Sequence, residues 1–510
     1  MKKFLVLSVI SLLILAFGMT AYAQEKKPVL EFKASGWIDI VTELWKNAVQ
    51  GSYGPEGSIP AAGAGQLNKT AGYFESRARL KFDAKYGKAM SGTIYFEMDA
   101  ARWGSNGSGR NNYGAWNADQ TGVEIKNIYF DFAVPYYGIP VPTTFRVGLQ
   151  PLSIRNHMLV YTDGMGITVG AKIADMVTLS PFWFLPQEGQ DLNSDDVNVY
   201  GMQYSLPIGT MKTGGYWMYW NMNLYPIRNV PAYGTRGDYK SDMHWFGVWA
   251  DGKLGPINLK TDFIYDWGNV HARDPVAEGH HRVKLSGYAL YANFDFPWEK
   301  FNFGGTVMWT SPADADETTG GQVGASSSGA PGTEVAATSL DPTVFKPVRR
   351  VGTFVVPPGS ESGAIFGEGL VFYSSWVNRG NTGIGNTINV NGLGRGPVGG
   401  TYMIKAYTSY KFHPDHKVTF AGMYIGDNVT HGDLFGSYVT DNLRLRDKDT
   451  IGVEIDLIWE WNIYDKLKYS VGAGYMWPGT AIKYQTISAT QINQKVNTPW
   501  ILCSQLMYSF

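Results

Sequence analysis

Charged side chains of both signs recur at every second position of residues 74–86. One parity carries only charged residues, namely Glu75, Arg77, Arg79, Lys81, Asp83 and Lys85. The other parity is uncharged and mostly apolar, from Phe74 to Tyr86. Because side chains alternate across a β-strand, the segment predicts a strand with one charged face and one apolar face. A row of fixed charges on one face is suited to holding water and to interacting with ions and polar solutes.

The same alternation recurs in residues 30–40, 257–267, 402–412 and 451–461. If the charged faces of these strands line an aqueous channel, their charges select solutes by size and sign. The candidate pore-lining residues are Glu75, Arg77, Arg79, Lys81, Asp83, Arg146, Lys260, Asp262, Lys405, Glu454, Asp456 and Glu460. Each of them is also compatible with a generic polar lining that keeps water in the lumen.

Catalytic, nucleotide and metal chemistry finds little support in the sequence. Residues 394–399 fit Gly-x-Gly-x-x-Gly but contain Pro397 and lack a strand–turn–helix context, and no Walker or Gly-x-Ser-x-Gly motif is present. His271, His280 and His281 share one segment without a cysteine or spaced carboxylate to complete a metal site. An acidic cluster contains Asp314, Asp316 and Glu317 but lacks the rest of a calcium-binding loop pattern. The chain is therefore not expected to be an enzyme, and no catalytic residues, metal or cofactor are predicted.

The composition excludes further classes of protein. The 43 basic and 44 acidic residues nearly cancel, whereas nucleic-acid binding driven by net charge needs a basic surplus, so no nucleic-acid partner is expected. The single cysteine, Cys503, excludes an internal disulfide framework. Beyond the amino-terminal stretch, no apolar run is long enough for a transmembrane helix. A membrane protein without such helices must be a closed β-barrel, because closure satisfies every backbone amide in lipid.

The amino terminus is typical of an export signal. Lys2 and Lys3 precede a short apolar stretch over residues 4–17, and residues 21–23 read Ala-Tyr-Ala, the small-x-small pattern of a cleavage site. The sequence therefore predicts a cleaved signal peptide over residues 1–23 and a mature barrel over residues 24–510. No cysteine follows the apolar stretch, which argues against a lipid-anchored precursor.

The connections between the predicted strands alternate between short and long. Short links at residues 174–175, 207–210, 254–256, 297–300, 413–416 and 462–466 are interleaved with much longer ones, such as residues 104–121, 223–240 and 428–447. Outer-membrane barrels have short periplasmic turns and long extracellular loops. We therefore predict an all-β transmembrane antiparallel up-and-down β-barrel of about 18 strands, located in the cell outer membrane of a Gram-negative bacterium.

The longest connection, residues 311–400, contains 18 glycines and 7 prolines. Apolar residues such as Phe354, Phe366 and Phe372 predict that part of this connection is packed. The sequence leaves open whether the loop folds into the lumen as a constriction, stands outside as an extracellular hairpin, or contributes an extra strand pair.

The carboxyl-terminal strand places Trp500, Leu502, Ser504, Leu506, Tyr508 and Phe510 on one parity. It resembles the terminal strand of bacterial outer-membrane proteins, whose final phenylalanine is recognised by the barrel-assembly machinery. The resemblance implies that Tyr508 and Phe510 form an assembly signal and that the assembly machinery is a partner. Both residues also fit plain lipid-facing packing.

Two stretches resemble the alginate-export-type porins. Residues 145–151 (FRVGLQP) resemble a strand with an Arg-x-Gly-x-Gln core, and residues 450–461 with 475–479 resemble a late strand pair that ends in a Pro-Gly turn. The resemblance implies about eighteen antiparallel strands. It does not carry the substrate over, because alginate exporters have an arginine-rich pore, whereas this chain mixes Arg77 and Arg146 with Glu454 and Asp456.

The leading functional prediction is a porin that forms a water-filled channel for passive diffusion of small hydrophilic solutes or ions, surrounded by outer-membrane lipid. One alternative is a structural barrel that sheaths a partner such as a multihaem cytochrome, whose haem would come from another chain because no Cys-x-x-Cys-His is present. Another is an exporter of an anionic polysaccharide. A barrel-embedded hydrolase lacks a nucleophile motif, and an energised receptor needs about twenty-two strands and a plug. Monomer and homotrimer both remain open.

Overall fold

The computed structural model describes residues 29–48, 68, 70–104, 122–134, 141–174, 176–188, 196–225, 227, 239–272, 283–312, 350–373, 392–428, 450–481, 484–485, 494–495 and 497–510. The predicted signal peptide, residues 1–23, lies outside the described residues, as do His280, His281 and the acidic cluster of residues 314–317. No helix in these ranges is both long enough and apolar enough to cross a membrane.

Eighteen antiparallel strands form one closed barrel, which confirms the predicted fold class and strand number. A two-residue strand, Arg350–Val351, joins the same sheet by parallel pairing with Lys284 and Leu285. The strands are β1 Leu30–Lys46, β2 Thr70–Tyr86, β3 Met90–Arg102, β4 Glu124–Ala133, β5 Thr143–Ile154, β6 Val160–Ile173, β7 Val177–Gln187, β8 Val197–Ile208, β9 Met211–Tyr225, β10 Tyr239–Leu254, β11 Ile257–Ala272, β12 Val283–Trp298, β13 Phe301–Thr310, β14 Thr401–His413, β15 His416–Asp427, β16 Thr450–Tyr464, β17 Leu467–Pro478 and β18 Trp500–Ser509. Each pairs with its neighbour in sequence, and β18 pairs with β1. A closed sheet leaves no unpaired edge.

The seam between β18 and β1 extends to the last residue of the chain. The Gly36 amide donates to the Phe510 carbonyl at 3.0 Å, and the Phe510 amide donates back to the Gly36 carbonyl at 3.0 Å. The Tyr508 and Phe510 side chains point outward and are exposed. The terminal residues therefore contribute directly to closure of the barrel.

The outer wall is apolar because one parity of each strand points away from the lumen. On β2 the exposed outward residues include Phe74 and Phe82, whereas Glu75 on the opposite parity is buried. Tryptophans such as Trp298, Trp309 and Trp477 are exposed near the strand ends, where a membrane interface would meet them. An apolar belt around a closed barrel identifies a transmembrane barrel.

One predicted outward residue is turned inward. The alternation of residues 451–461 places Ile451 on the lipid-facing parity, but its side chain is fully buried. The register between β15 and β16 shifts after Ile425, and Gly426 pairs with Thr450. The extra residue at this bulge reverses the parity locally, so the simple alternation is wrong at Ile451.

The tight connections lie at one end of the barrel, where two-residue turns such as those at Gly209 and Gly255 reverse the chain. Both glycines have left-handed φ angles, 60° and 62°, which a β-carbon would disfavour. The long connections lie at the opposite end, as predicted. The link between β5 and β6 breaks this pattern, because it lies at the long-loop end but contains only residues 155–159.

Candidate solute passage

The β5–β6 link belongs to a hairpin that leaves the barrel wall. β4 pairs with β5 only as far as the Ile128–Leu149 pair, and β6 pairs with β7 only as far as the Gly166–Phe184 pair. Residues 150–165, here called the inner hairpin, pair with each other beyond these points. Because Leu152, Ile154 and residues 158–160 are buried, the inner hairpin is folded into the lumen.

Gly148 lies where the inner hairpin departs from the wall. Its φ angle is +132°, and a β-carbon there would lie 2.3 Å from the Ile128 carbonyl oxygen. Side chains are excluded at that distance, so glycine permits the close approach of β4 and β5. Gln150, the next inward position, donates to the Gly166 carbonyl at 2.8 Å and accepts from the Thr168 hydroxyl at 2.9 Å. The glutamine thus fastens the base of the inner hairpin.

The tip of the inner hairpin is tied to distant strands of the barrel. Arg155 donates to Asp251 of β10 at 2.7 Å and to Asp262 of β11 at 2.6 Å. The His157 Nε2 atom lies 3.2 Å from the same Asp262 carboxylate, and the Lys260 ammonium lies 3.3 Å from the His157 Nδ1 atom. Burial lowers the pKa of His157, so the ring is neutral near pH 7. Lys260 then donates to Nδ1, and the protonated Nε2 faces Asp262.

Part of the long connection is also packed inside the barrel. Residues 350–373 and 392–400, here called the inner loop, contact inward-facing side chains of several strands. The Trp245 indole donates to the Val355 carbonyl at 2.8 Å, and the Val355 amide donates to Asp266 at 3.2 Å. Leu393 donates its amide to the Tyr225 hydroxyl at 3.0 Å. These contacts hold the inner loop against β9–β11.

Glu454 of β16 holds another part of the inner loop. Its carboxylate accepts three backbone amides, from Leu370, Val371 and Phe372, each at 2.8 Å. The Glu454 side chain is fully buried by these contacts. A carboxylate that accepts several amides fixes a backbone segment, much as an acidic cap fixes the start of a helix. This glutamate therefore anchors the inner loop.

Glu368 of the inner loop reaches the wall in the opposite direction. It accepts from the Tyr291 hydroxyl at 2.6 Å and lies 3.0 Å from the Lys405 ammonium. Burial opposes ionisation, but the attraction of Lys405 and the hydrogen bonds of its neighbours outweigh it, so the pKa of Glu368 lies below its usual range. The carboxylate is thus ionised at neutral pH and forms an ion pair with Lys405.

The inner hairpin and the inner loop also contact each other. Ser360 donates to the Leu159 carbonyl at 2.9 Å, and the Glu361 amide donates to the Tyr161 carbonyl at 2.8 Å. Together they pack on the inward apolar side chains of β7–β11, such as Phe184, Trp220 and Trp245. The lumen along these strands is therefore filled by a hydrophobic core of the chain itself.

The inward face of β2–β5 carries charged side chains, some of which are exposed to water. Nine charged side chains, eight on β2–β5 and Asp163 of the inner hairpin, are here called the charged wall. They are Arg77, Arg79, Lys81, Asp83, Glu97, Lys126, Asp131, Arg146 and Asp163, and their exposed fractions run from 7% for Glu97 to 37% for Arg146. Arg146 and Asp131 pair at 2.8 Å with 37% and 32% of their side chains exposed. Asp266 and Glu454, under the inner loop, are 0% exposed. Solvent therefore reaches the charged wall at this ion pair, whereas the two carboxylates under the inner loop are shielded from it.

Three cross-strand contacts link four residues of the charged wall into a row. Arg79 lies 2.6 Å from Glu97, Glu97 lies 3.2 Å from Lys126, and Lys126 lies 2.8 Å from Asp163. Arg79 and Glu97 are direct register partners on β2 and β3. A bulge at Lys126 inserts an extra residue into β4 opposite β3 and places this lysine in the row.

The twelve candidate pore-lining residues fall into three groups. Five of them, Arg77, Arg79, Lys81, Asp83 and Arg146, belong to the charged wall. Four, Lys260, Lys405, Asp456 and Glu460, line a cavity of about 540 Å³ that the inner loop covers with residues 365–369. The remaining three, Glu75, Asp262 and Glu454, are buried. Residues that share the same alternation in the sequence therefore lie in different surroundings inside the barrel.

Several residues of the site were missed by the sequence reasoning. Glu97, Lys126, Asp131 and Asp163 complete the charged wall, and Arg155 and Glu368 anchor the two inserted segments. Asp131 was detectable, because it follows Tyr129 on the inward parity of β4. Lys126 was hidden by its bulge.

Of the other motifs considered in the sequence, the glycine-rich residues 394–399 lie within the described ranges. Residues 394–399 form a turn, in which the Gly399 amide donates to the Arg395 carbonyl at 2.8 Å, packed against Val356. Within the described ranges, no three His, Cys, Asp or Glu side chains are grouped so that they could hold a metal ion.

Comparisons with known proteins found remote structural matches. No protein-family model and no curated protein sequence matches this chain. Among solved structures, OccK8 (OprE) of Pseudomonas aeruginosa matches with a TM-score of 0.46 and 10% identity over 94% of this chain and 98% of its own. The outer-membrane protein OpdK of the same species gives 0.46 and 8% over 94% and 99%, and OccAB2 of Acinetobacter baumannii gives 0.47 and 9% over 94% and 98%. These likenesses are too remote to transfer a function, and the resemblance to alginate-export-type porins is not supported.

Proposed function

We propose that this protein is an outer-membrane porin through which small hydrophilic solutes diffuse passively. The observation that carries the proposal is the asymmetry of the lumen. One side is filled by the inner hairpin and the inner loop, whereas the charged wall includes solvent-exposed side chains such as Arg146 and Asp131. A barrel of about eighteen strands is wide enough to leave an aqueous channel after such a partial filling.

The inserted segments set the size limit for solutes. A barrel this wide without inserts would pass large molecules, but Arg155 and Glu368 hold the two segments across much of the lumen. The space left for solutes lies beside the charged wall. Passage is therefore limited to small solutes.

The same geometry disfavours the alternative functions. A sheath for a multihaem cytochrome needs an empty lumen, and here a buried core of the chain itself occupies part of it. An exporter of an anionic polysaccharide needs unpaired cations along the path. Each cation of the charged wall instead lies within 4 Å of a carboxylate, as in the Arg146–Asp131 pair.

The remaining features of the proposal concern export and assembly. Residues 1–23 serve as a cleaved signal peptide, and the barrel-assembly machinery recognises Tyr508 and Phe510. The position of Phe510 at the seam with Gly36 supports a role in closure. Outer-membrane lipid surrounds the apolar belt, and a homotrimer is compatible with this outer surface.

Planar-bilayer recording tests the channel directly. The purified barrel, checked for heat-modifiable mobility on gels, should produce discrete current steps, and proteoliposomes should swell in small sugars but not in large oligosaccharides. The same preparation unfolded by heat is the control. A correctly folded barrel that neither conducts nor admits small sugars would refute the channel and favour a structural role.

A further inference from the structure

The cations of the charged wall are matched by carboxylates. The five cations are Arg77, Arg79, Lys81, Lys126 and Arg146, and the four carboxylates are Asp83, Glu97, Asp131 and Asp163. Glu361 of the inner loop interacts electrostatically with Arg77, Arg79 and Lys126 and adds a fifth acidic group. These five cations and five acidic groups therefore leave no surplus of either sign among them.

The charges also alternate in space. In the row that crosses β2, β3, β4 and β6, the sign changes at every step from Arg79 to Glu97, Lys126 and Asp163. Two further pairs, Lys81 with Asp83 at 3.1 Å and Arg146 with Asp131 at 2.8 Å, repeat the pattern. A solute beside this wall meets a cation and an anion within a few ångströms of each other.

A solute with one net charge gains little from such a wall. An anion attracted by Arg79 is repelled by Glu97, and a cation attracted by Glu97 is repelled by Arg79 and Lys126. A dipolar solute can instead place its carboxylate near a cation and its ammonium near the adjacent carboxylate. These two contacts replace hydrogen bonds to water that the solute loses on entry, because hydrogen bonds between charged groups are stronger than those between neutral groups.

We infer that the passage favours small dipolar solutes, such as zwitterionic amino acids and dipeptides, over anions and cations of similar size. This inference rests on the proposed channel function and assigns its substrate class. The pairing is local, so the selectivity depends on individual cation–carboxylate contacts rather than on the net charge of the protein.

Proteoliposome swelling compares three probes of similar length, namely glycylglycine, succinate and putrescine. Glycylglycine should enter about three-fold faster than either of the charged probes, a modest ratio because the wall contacts exchange with water. In a potassium chloride gradient the reversal potential should be close to zero. Absence of conductance would overturn the channel itself, whereas a conducting barrel that prefers succinate or putrescine would overturn the inference alone.

Two variants test the local pairing. Arg79→Gln should shift the reversal potential toward cation selectivity, and Glu97→Gln should shift it toward anion selectivity, each about three-fold in the permeability ratio in dilute salt. Arg79→Lys keeps the charge and should behave like the wild type. Shifts of the same sign, or none in folded variants, would overturn the inference. If the neutral variants do not fold, the relative entry rates of the three probes and the reversal potential of the wild type still test the preference for dipolar solutes.

Discussion

Replacing Arg155 with alanine removes the guanidinium that ties the inner hairpin to the opposite wall. Asp262 is nearly fully buried, so loss of the guanidinium removes the charged partner of its carboxylate and leaves the neutral His157 ring facing it. Breaking a buried ion pair costs about 3–5 kcal/mol. Asp251 has 35% of its side chain exposed, so its share is screened to about 1 kcal/mol or less. Taking about 3 kcal/mol from Asp262, the docked state of the hairpin tip loses roughly a hundred-fold in population.

The packing of Leu159 and the bond from Ser360 still hold the body of the inner hairpin in Arg155→Ala. We therefore expect a folded barrel whose single-channel current is higher and noisier than that of the wild type, with a lower urea midpoint. Arg155→Lys should fall between the two, because lysine keeps the charge but not the planar fork. Unchanged current, noise and midpoint in Arg155→Ala would refute the role of this contact.

Three further predictions concern the wall, the loop and the seam. Leu80→Arg should destabilise the barrel by about 2–4 kcal/mol if Leu80 lies at the membrane midplane. Lys81→Gln, on the inward face, should cost less than about 1 kcal/mol. Equal urea midpoints for the two variants would contradict the assigned parity. Burial raises the pKa of Glu361, so this side chain takes up a proton earlier than an ordinary glutamate as the pH falls from 7. Loss of its negative charge should make the channel more anion-selective. If Glu361→Gln has the same pH profile of the reversal potential as the wild type, Glu361 does not cause this change. Deleting Phe510 removes two seam hydrogen bonds and should lower the amount of heat-modifiable barrel without blocking signal-peptide cleavage; normal barrel levels would speak against an assembly role.

The strands and the alternation of short and long connections were predictable because they follow from local patterns in the sequence. In β2, the alternation of charged and apolar residues fixes which side chains face lipid. Closure of the barrel was expected because the sequence after the predicted signal peptide contains no apolar run long enough for a transmembrane helix, and a closed sheet satisfies every backbone amide in lipid. Only a bulge, as at Ile451 or Lys126, defeats this reasoning, since one inserted residue reverses the parity of its neighbours along the strand.

The sequence predicted that part of residues 311–400 is packed but left open whether it folds into the lumen, and it did not predict the inner hairpin, although β9 carried a signal. Its residues 216–220 are aromatic or apolar on both parities, with Trp217 facing outward and Trp220 buried. A strand with two apolar faces needs cover on both, and lipid supplies only one. Which segment supplies the other cover depends on contacts far apart in sequence, such as Trp245 with Val355. Alternation alone cannot identify such partners.

We expect water and solutes to follow the charged wall and not the side of the lumen under the inner loop. Cysteine substitution with a charged, membrane-impermeant thiol reagent tests this in single channels, since the native Cys503 is buried. Asp131→Cys, on the charged wall, should react and reduce the current in a step, whereas Ile264→Cys, buried on the inward face of β11, should not react. Rapid modification at position 264 with none at position 131 would contradict the account.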